Sequence, residues 1–109
     1  DFIKALSLGA DGIAIANAAI QAIGCVAARI CNTNNCPVGI ATQKDDLRAR
    51  FEVQRSAKQL NNYLGATVEL MQVIARACGH NELGGFRHAD LTAWKKDVAE
   101  LAGIRFAGH

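Results

Sequence analysis

Cys25, Cys31 and Cys36 fall within twelve residues of one another, in the stretch GCVAARICNTNNCPVGIATQ (residues 24–43), and Pro37 directly follows the last of them. Thiols in this pattern can serve four kinds of chemistry. They can be inert, small core side chains. That suits the fourth cysteine, Cys78, which falls on a helical apolar stripe, but not three thiols in a polar, turn-rich segment. They can pair as a disulfide, which leaves one thiol over and needs an oxidising compartment. They can bind zinc, but a structural zinc site takes four ligands, usually with a tight Cys-x2–4-Cys pair. The spacing here, Cys25-x5-Cys31-x4-Cys36, is wider, and Cys78, His80 or His88 would have to be the fourth ligand. Finally, they can hold an iron–sulfur cluster, whose usual ligands are thiolates and whose ligating Cys is often followed by Pro in ferredoxins. Three thiolates from one loop can serve three iron corners. Arg29, between the first two cysteines, either offsets the negative charge of such a cluster or is an exposed arginine. Spacing alone leaves zinc and iron–sulfur both open.

The elements that must position these thiols are legible on either side. Residues 1–8 are amphipathic, with Phe2, Ala5 and Leu6 at helical spacing, and Gly9 suits the position after a helix end. GIAIA, residues 12–16, is a short continuous apolar run and predicts a strand buried on both faces. Asn17 can cap the helix NAAIQAIG that follows. A helix–strand–helix order of this kind belongs to a parallel α/β sheet or barrel. Asn32, Thr33, Asn34, Asn35, Pro37 and Gly39 make the cysteine segment a loop. Two principal helices should follow, over roughly 46–78 and 88–102. The first carries Leu60, Leu64, Thr67, Met71, Ile74 and Cys78 on one stripe and ends at Gly79, with Gly65 a sign of close packing. The second carries Leu91, Trp94, Val98 and Leu101 and ends at Gly103. Trp94 should be partly buried against the longer helix, and the tail to His109 should be loose.

Composition narrows the classes. The chain has 109 residues, half of them hydrophobic, with few aromatics and a net charge of +2. Basic residues are dispersed among acids, so no nucleic-acid-binding arm is present, and the face bearing Arg48, Arg50, Glu52 and Lys58 reads as solvated surface. No apolar run reaches the ~18 residues of a membrane span. No signal-peptide pattern stands at the beginning, which points to the cytoplasm and to reduced thiols. Asp1 opens on a helix running straight into a strand, as expected of a piece of a longer protein.

The stretch KALSLGADGIAIANAAIQAIGCVAARICNTNNCPVGIATQ closely resembles the end of the FMN-binding synthase domain of the glutamate synthase family. ARACGH and DLTAW…AELAGI resemble the helices that close that domain. The resemblance implies an α/β fold: the C-terminal fragment of a (β/α)8 TIM barrel, with the last βα unit in residues 1–24, the iron–sulfur loop in 25–43 and a helical extension in 44–109. It implies a [3Fe-4S] cluster on Cys25, Cys31 and Cys36, with Cys78 at no ligand position. It also implies FMN at the barrel mouth, its phosphate near Ala16, Asn17 and Ala18, where many members carry Gly-Thr-Ala. The implied reaction makes L-glutamate from 2-oxoglutarate and ammonia, usually glutamine-derived through a glutaminase domain or subunit. Reduced FMN supplies the hydride, and the cluster relays electrons from a reductase subunit or ferredoxin. The 109 residues alone would then be inactive. An N-methylglutamate synthase-type subunit on the same barrel and a noncatalytic zinc-binding module are the alternatives.

Overall fold

The computed structural model describes residues 1–108. Most of the ordered backbone is helical: α1 (Phe2–Ser7), α2 (Asn17–Ala22), α3 (Asp45–Arg48), α4 (Val53–Ala77) and α5 (Lys96–Ala102). The strands β1 (Thr92–Ala93) and β2 (Arg105–Phe106) form a two-stranded sheet. The chain divides into two compact units, one of Asp1–Ala14 with the residues from Thr67 onward, the other of Ile15–Ala66.

In the first unit α1 ends where Gly9 takes a left-handed φ of 105°, and Ala10 N–H closes back on the carbonyl of Ala5. Ser7 is the most deeply buried side chain, and its Oγ has no hydrogen-bond partner. Ala75, Phe86, Ala93 and Ala99 are the unit's buried apolar side chains. The closing segment differs from the single helix expected over 88–102. A 3-10 turn (His88–Asp90) and β1 precede α5, and β1 pairs in parallel with β2, Thr92 opposite Arg105 and Ala93 opposite Phe106. Parallel strands cannot be joined by a tight turn, and α5 supplies the crossover. This explains why Trp94 is 83 % exposed rather than partly buried. Strand side chains alternate, so with Ala93 inward both Thr92 and Trp94 face out. The helical stripe cannot be extended back through a strand, and α5 turns the small Ala99 inward, leaving Leu101 92 % exposed. The tail is likewise ordered through Phe106, with Ala107 N–H bonded to the carbonyl of Ala93 at 2.8 Å. His109 lies outside the described residues.

The long helix also starts later than expected. After α3 the carbonyl of Leu47 accepts from Arg50 N–H and that of Arg48 from Phe51 N–H, three residues on in each case. The i→i−4 ladder therefore ends, and α4 begins anew at Val53. Along α4 the shielded positions are Ser56, Gln59, Leu60, Tyr63, Thr67, Met71 and Ala75. Leu60, Thr67 and Met71 match the expected stripe. Leu64, Ile74 and Cys78 are exposed, because the shielded face is rotated toward the positions of Tyr63 and Ala75. Gly79 does stop the helix, at a φ of 79°. Gly65 marks no close contact, since a methyl group there would meet nothing within 4 Å.

GIAIA, which runs from the first unit into the second, is not a strand. Residues 12–16 are exposed and pair with no strand among the described residues. A parallel strand needs flanking strands to satisfy its backbone, and none lies beside this one. The run then enters α2 with Ala16, not Asn17, at the N-cap and no side-chain cap bond. The buried hydroxyl of Ser56 donates to the carbonyl of Ile23 at 2.8 Å, tying the start of α4 to the end of α2.

Candidate metal centre

Between α2 and α3 the backbone follows a course most residues avoid. Ala27, Arg29 and Asn34 all take left-handed φ, at 56°, 59° and 64°. Asparagine visits this region readily, but for alanine and arginine it costs roughly 1–2 kcal/mol each. A net of polar contacts holds the second half of the loop. Thr42 Oγ donates to the Asn34 carbonyl at 2.7 Å, and Gln43 N–H donates to Asn34 Oδ1 at 2.6 Å. Thr42 Oγ also accepts from Lys44 N–H at 3.1 Å. Arg50 reaches back to donate to the Pro37 carbonyl at 3.1 Å. Asn34 and Thr42 thus clasp the two ends of the turn that carries Cys36.

The three thiols meet inside this loop. Cys25, Cys31 and Cys36 line one small apolar cavity of about 20 Å³, with Arg29, Ile30 and Pro37 in its wall. Cys36 is buried, Cys25 half-buried and Cys31 exposed, and all three are free thiols. Cys78, in the other unit, is exposed, not the core residue its stripe suggested. Ala27 N–H donates to Cys25 Sγ at 3.4 Å. The backbone N–H of Ala41, aided by those of Val38, Ile40 and Gly39, lowers the pKa of Cys36 against the opposing effect of burial. Such a ring of amides favours thiolate, the form that binds metal.

Among the described residues no three Cys, His, Asp or Glu side chains are gathered as ligands about a single ion. The three thiols share a cavity, and tetrahedral zinc would need a fourth ligand beside them. A multi-iron core takes one thiolate at each of three irons. Three thiols around one cavity, inward amides and a neighbouring arginine are a donor set that suits such a core. Ala16, Asn17 and Ala18 lie together at the start of α2, where the first N–H groups lack intrahelical acceptors, as a phosphate site needs.

Sequence reasoning missed a second polar cluster. His80 Nε2 and Asp90 Oδ2 lie 2.7 Å apart with both side chains largely buried, and Arg87 N–H donates to the same oxygen at 2.9 Å. The Phe86 ring packs edge-on against His80, 5.5 Å between centroids. The Arg87 amide, then His80, holds the Asp90 carboxyl below its ordinary value of 3.8, against the raising effect of burial. A depressed carboxylate stabilises the fold above the unfolded-state value and loses that contribution as pH falls through the folded one. Acid unfolding should therefore steepen below about pH 3.8, and Asp90→Asn should flatten that limb in a circular-dichroism pH titration. An unaltered acid limb would count against the clamp.

The chain's relatives match this loop-bearing sequence. The family model described as "Conserved region in glutamate synthase" matches residues 1–81. The chain belongs to the glutamate synthase family. The ferredoxin-dependent glutamate synthase 1 (chloroplastic/mitochondrial) of Arabidopsis thaliana is 43 % identical over 83 residues, 76 % of this chain and 5 % of that protein. The chloroplastic ferredoxin-dependent glutamate synthase of Oryza sativa subsp. japonica is 55 % identical over 51 residues, 47 % of this chain and 3 % of that protein. A glutamate synthase large subunit-like protein of Rhizobium meliloti (strain 1021) is 35 % identical over 124 aligned positions, 99 % of this chain and 28 % of that protein. The chain thus spans a small part of the glutamate synthases it matches. No solved structure matches it. No helix of the described residues is long and apolar enough to cross a membrane.

Proposed function

We propose that this chain is the cluster-bearing C-terminal part of a glutamate synthase, with Cys25, Cys31 and Cys36 as ligands of one [3Fe-4S] cluster and residues 1–24 as the last βα unit of a TIM barrel. The observation that carries the reading is that these three thiols line one cavity. In the holoprotein the cluster and FMN supply electron relay and hydride for forming L-glutamate from 2-oxoglutarate and ammonia. The chain's own residues do the holding. Amides of residues 38–41 favour the Cys36 thiolate, Asn34 and Thr42 hold its turn closed, and Cys25 and Cys31 share its cavity. Ala16, Asn17 and Ala18 are proposed to meet the FMN phosphate through backbone N–H groups.

Plant and algal relatives are ferredoxin-dependent glutamate synthases by name, which favours ferredoxin as electron donor over a reductase subunit. The ammonia is proposed to come from glutamine through a glutaminase domain or subunit. A soluble cytoplasmic enzyme is the compartment this reading favours, although the plant relatives are named chloroplastic.

The test is analysis of the holoprotein carrying this chain. It should contain iron and acid-labile sulfide at about three to four, with an EPR signal in the oxidised state. It should also oxidise reduced ferredoxin only when 2-oxoglutarate and glutamine are both present. Zinc in place of iron would sink the cluster reading. Iron with no 2-oxoglutarate-dependent oxidation of ferredoxin would sink the reaction.

A further inference from the structure

Arg29 has a conformation that its side chain does not explain. Its backbone is left-handed at a φ of 59°, two residues after Ala27 in the same region. Glycine would occupy this position without strain, so an arginine here carries a local backbone cost. The side chain is exposed, and no carboxylate among the described residues pairs with it; the described ion pairs are Lys4–Asp1 and His80–Asp90. Yet Arg29 lines the wall of the cavity that holds all three thiols. No other arginine or lysine lines that cavity. Three thiolates and inorganic sulfides concentrate negative charge in a pocket whose other walls are apolar, such as Val26, Ile30 and Val38. Apolar walls screen poorly, so a fixed cation in the wall acts on charge placed in the cavity.

We propose that Arg29 is the electrostatic positioning residue of this loop: its place in the wall of the thiol cavity puts a cation where its charge favours the reduced, more negative cluster and so raises the reduction potential. Arginine suits the role because its charge is fixed at any working pH. The inference rests on the cluster reading above and adds to it a residue that ligates nothing.

Three variants of the holoprotein separate charge from backbone. Arg29→Lys keeps the charge, Arg29→Gln removes it, and Arg29→Gly removes it while relieving the left-handed strain. An EPR-monitored redox titration reads the cluster's midpoint potential, alongside iron and sulfide content. Arg29→Gln and Arg29→Gly should both shift the midpoint downward, so that at a fixed poise the reduced-to-oxidised ratio falls about tenfold, which is about 59 mV for a one-electron couple. Arg29→Lys should stay close to wild type. If the neutral variants lose part of their iron, the midpoint is read on the clusters that remain, and an unmoved midpoint there overturns the proposal. Full iron with an unmoved midpoint in the neutral variants overturns it. So does a shift, or an iron loss, of the same size in all three variants, since the charge is then not the cause. Wild-type protein without iron and sulfide overturns the cluster reading itself, a result distinguishable from failure of Arg29 alone.

Discussion

Cys36→Ser is expected to leave the holoprotein folded but depleted of iron, by about tenfold or more. Three observations single out this thiol. It is the buried one of the three, it lies on the cavity the others share, and backbone amides of residues 38–41 stabilise its charge. Serine is nearly isosteric and its oxygen can accept from the same amides, so the turn has little reason to open. What serine does not supply at neutral pH is a soft thiolate for iron. Changes even to outer-shell partners cost metal sites about 10–100-fold in affinity, and loss of a ligand should cost no less. Cys78→Ser is the matched control. Its thiol is exposed rather than in a core, so the swap should change stability by less than about 0.5 kcal/mol and leave the cluster intact. Iron analysis, oxidised-state EPR and thermal melts on both variants decide the matter. Full iron in a folded Cys36→Ser protein, or lost iron in a folded Cys78→Ser protein, would mean the ligand set is wrongly drawn.

The cysteine loop was legible because its signals are local. Asparagines, a proline and a glycine fix a turn regardless of what surrounds it, and thiol spacing is read directly from the chain. What could not be read is how the loop is held. Asn34 and Thr42 are ordinary turn residues in sequence, and only the fold brings the Thr42 hydroxyl to the Asn34 carbonyl. The His80–Asp90 pair is similar: ten residues separate them, and a 3-10 turn, not a periodic element, brings them together. The errors of periodicity have two causes. A stripe at steps of three and four presumes an unbroken helix, and the chain breaks at residues 49–52 and again at β1, which is why Trp94 is exposed. α4 itself is unbroken, but its shielded face is rotated toward Tyr63 and Ala75, which leaves Leu64, Ile74 and Cys78 outside. GIAIA illustrates the opposite limit. Its apolar run records a preference for burial between neighbouring strands, and Ile13 and Ile15 remain over a third exposed without them.

The break at residues 49–52 makes Gly39 the most sensitive position outside the cysteines. Gly39 takes a left-handed φ of 80°, and its Cα packs against the end of α3. A methyl group there would overlap the Leu47 carbonyl oxygen and sit 3.2 Å from Phe51 Cβ. The Leu47 carbonyl cannot simply swing away, because it accepts from Arg50 N–H at 3.1 Å and helps turn the chain into α4. Gly39→Ala should therefore combine the left-handed penalty of roughly 1–2 kcal/mol with an overpacking cost of about 1–3 kcal/mol. The sum, about 2–5 kcal/mol, is a large fraction of the 5–15 kcal/mol that holds a typical domain together. The loss should also reach the metal centre, because the Gly39 amide is among those that stabilise the Cys36 thiolate. Gly65→Ala supplies the contrast. Gly65 lies inside α4 with open space around it and no left-handed φ, so alanine should stabilise by about 0.5–1 kcal/mol. Thermal melts of the holoprotein should thus move in opposite directions for the two substitutions, with iron lost only in Gly39→Ala. Melts that rise or stay level in both would show that the loop and the bend are free to separate, and that Gly39 is a turn residue like any other.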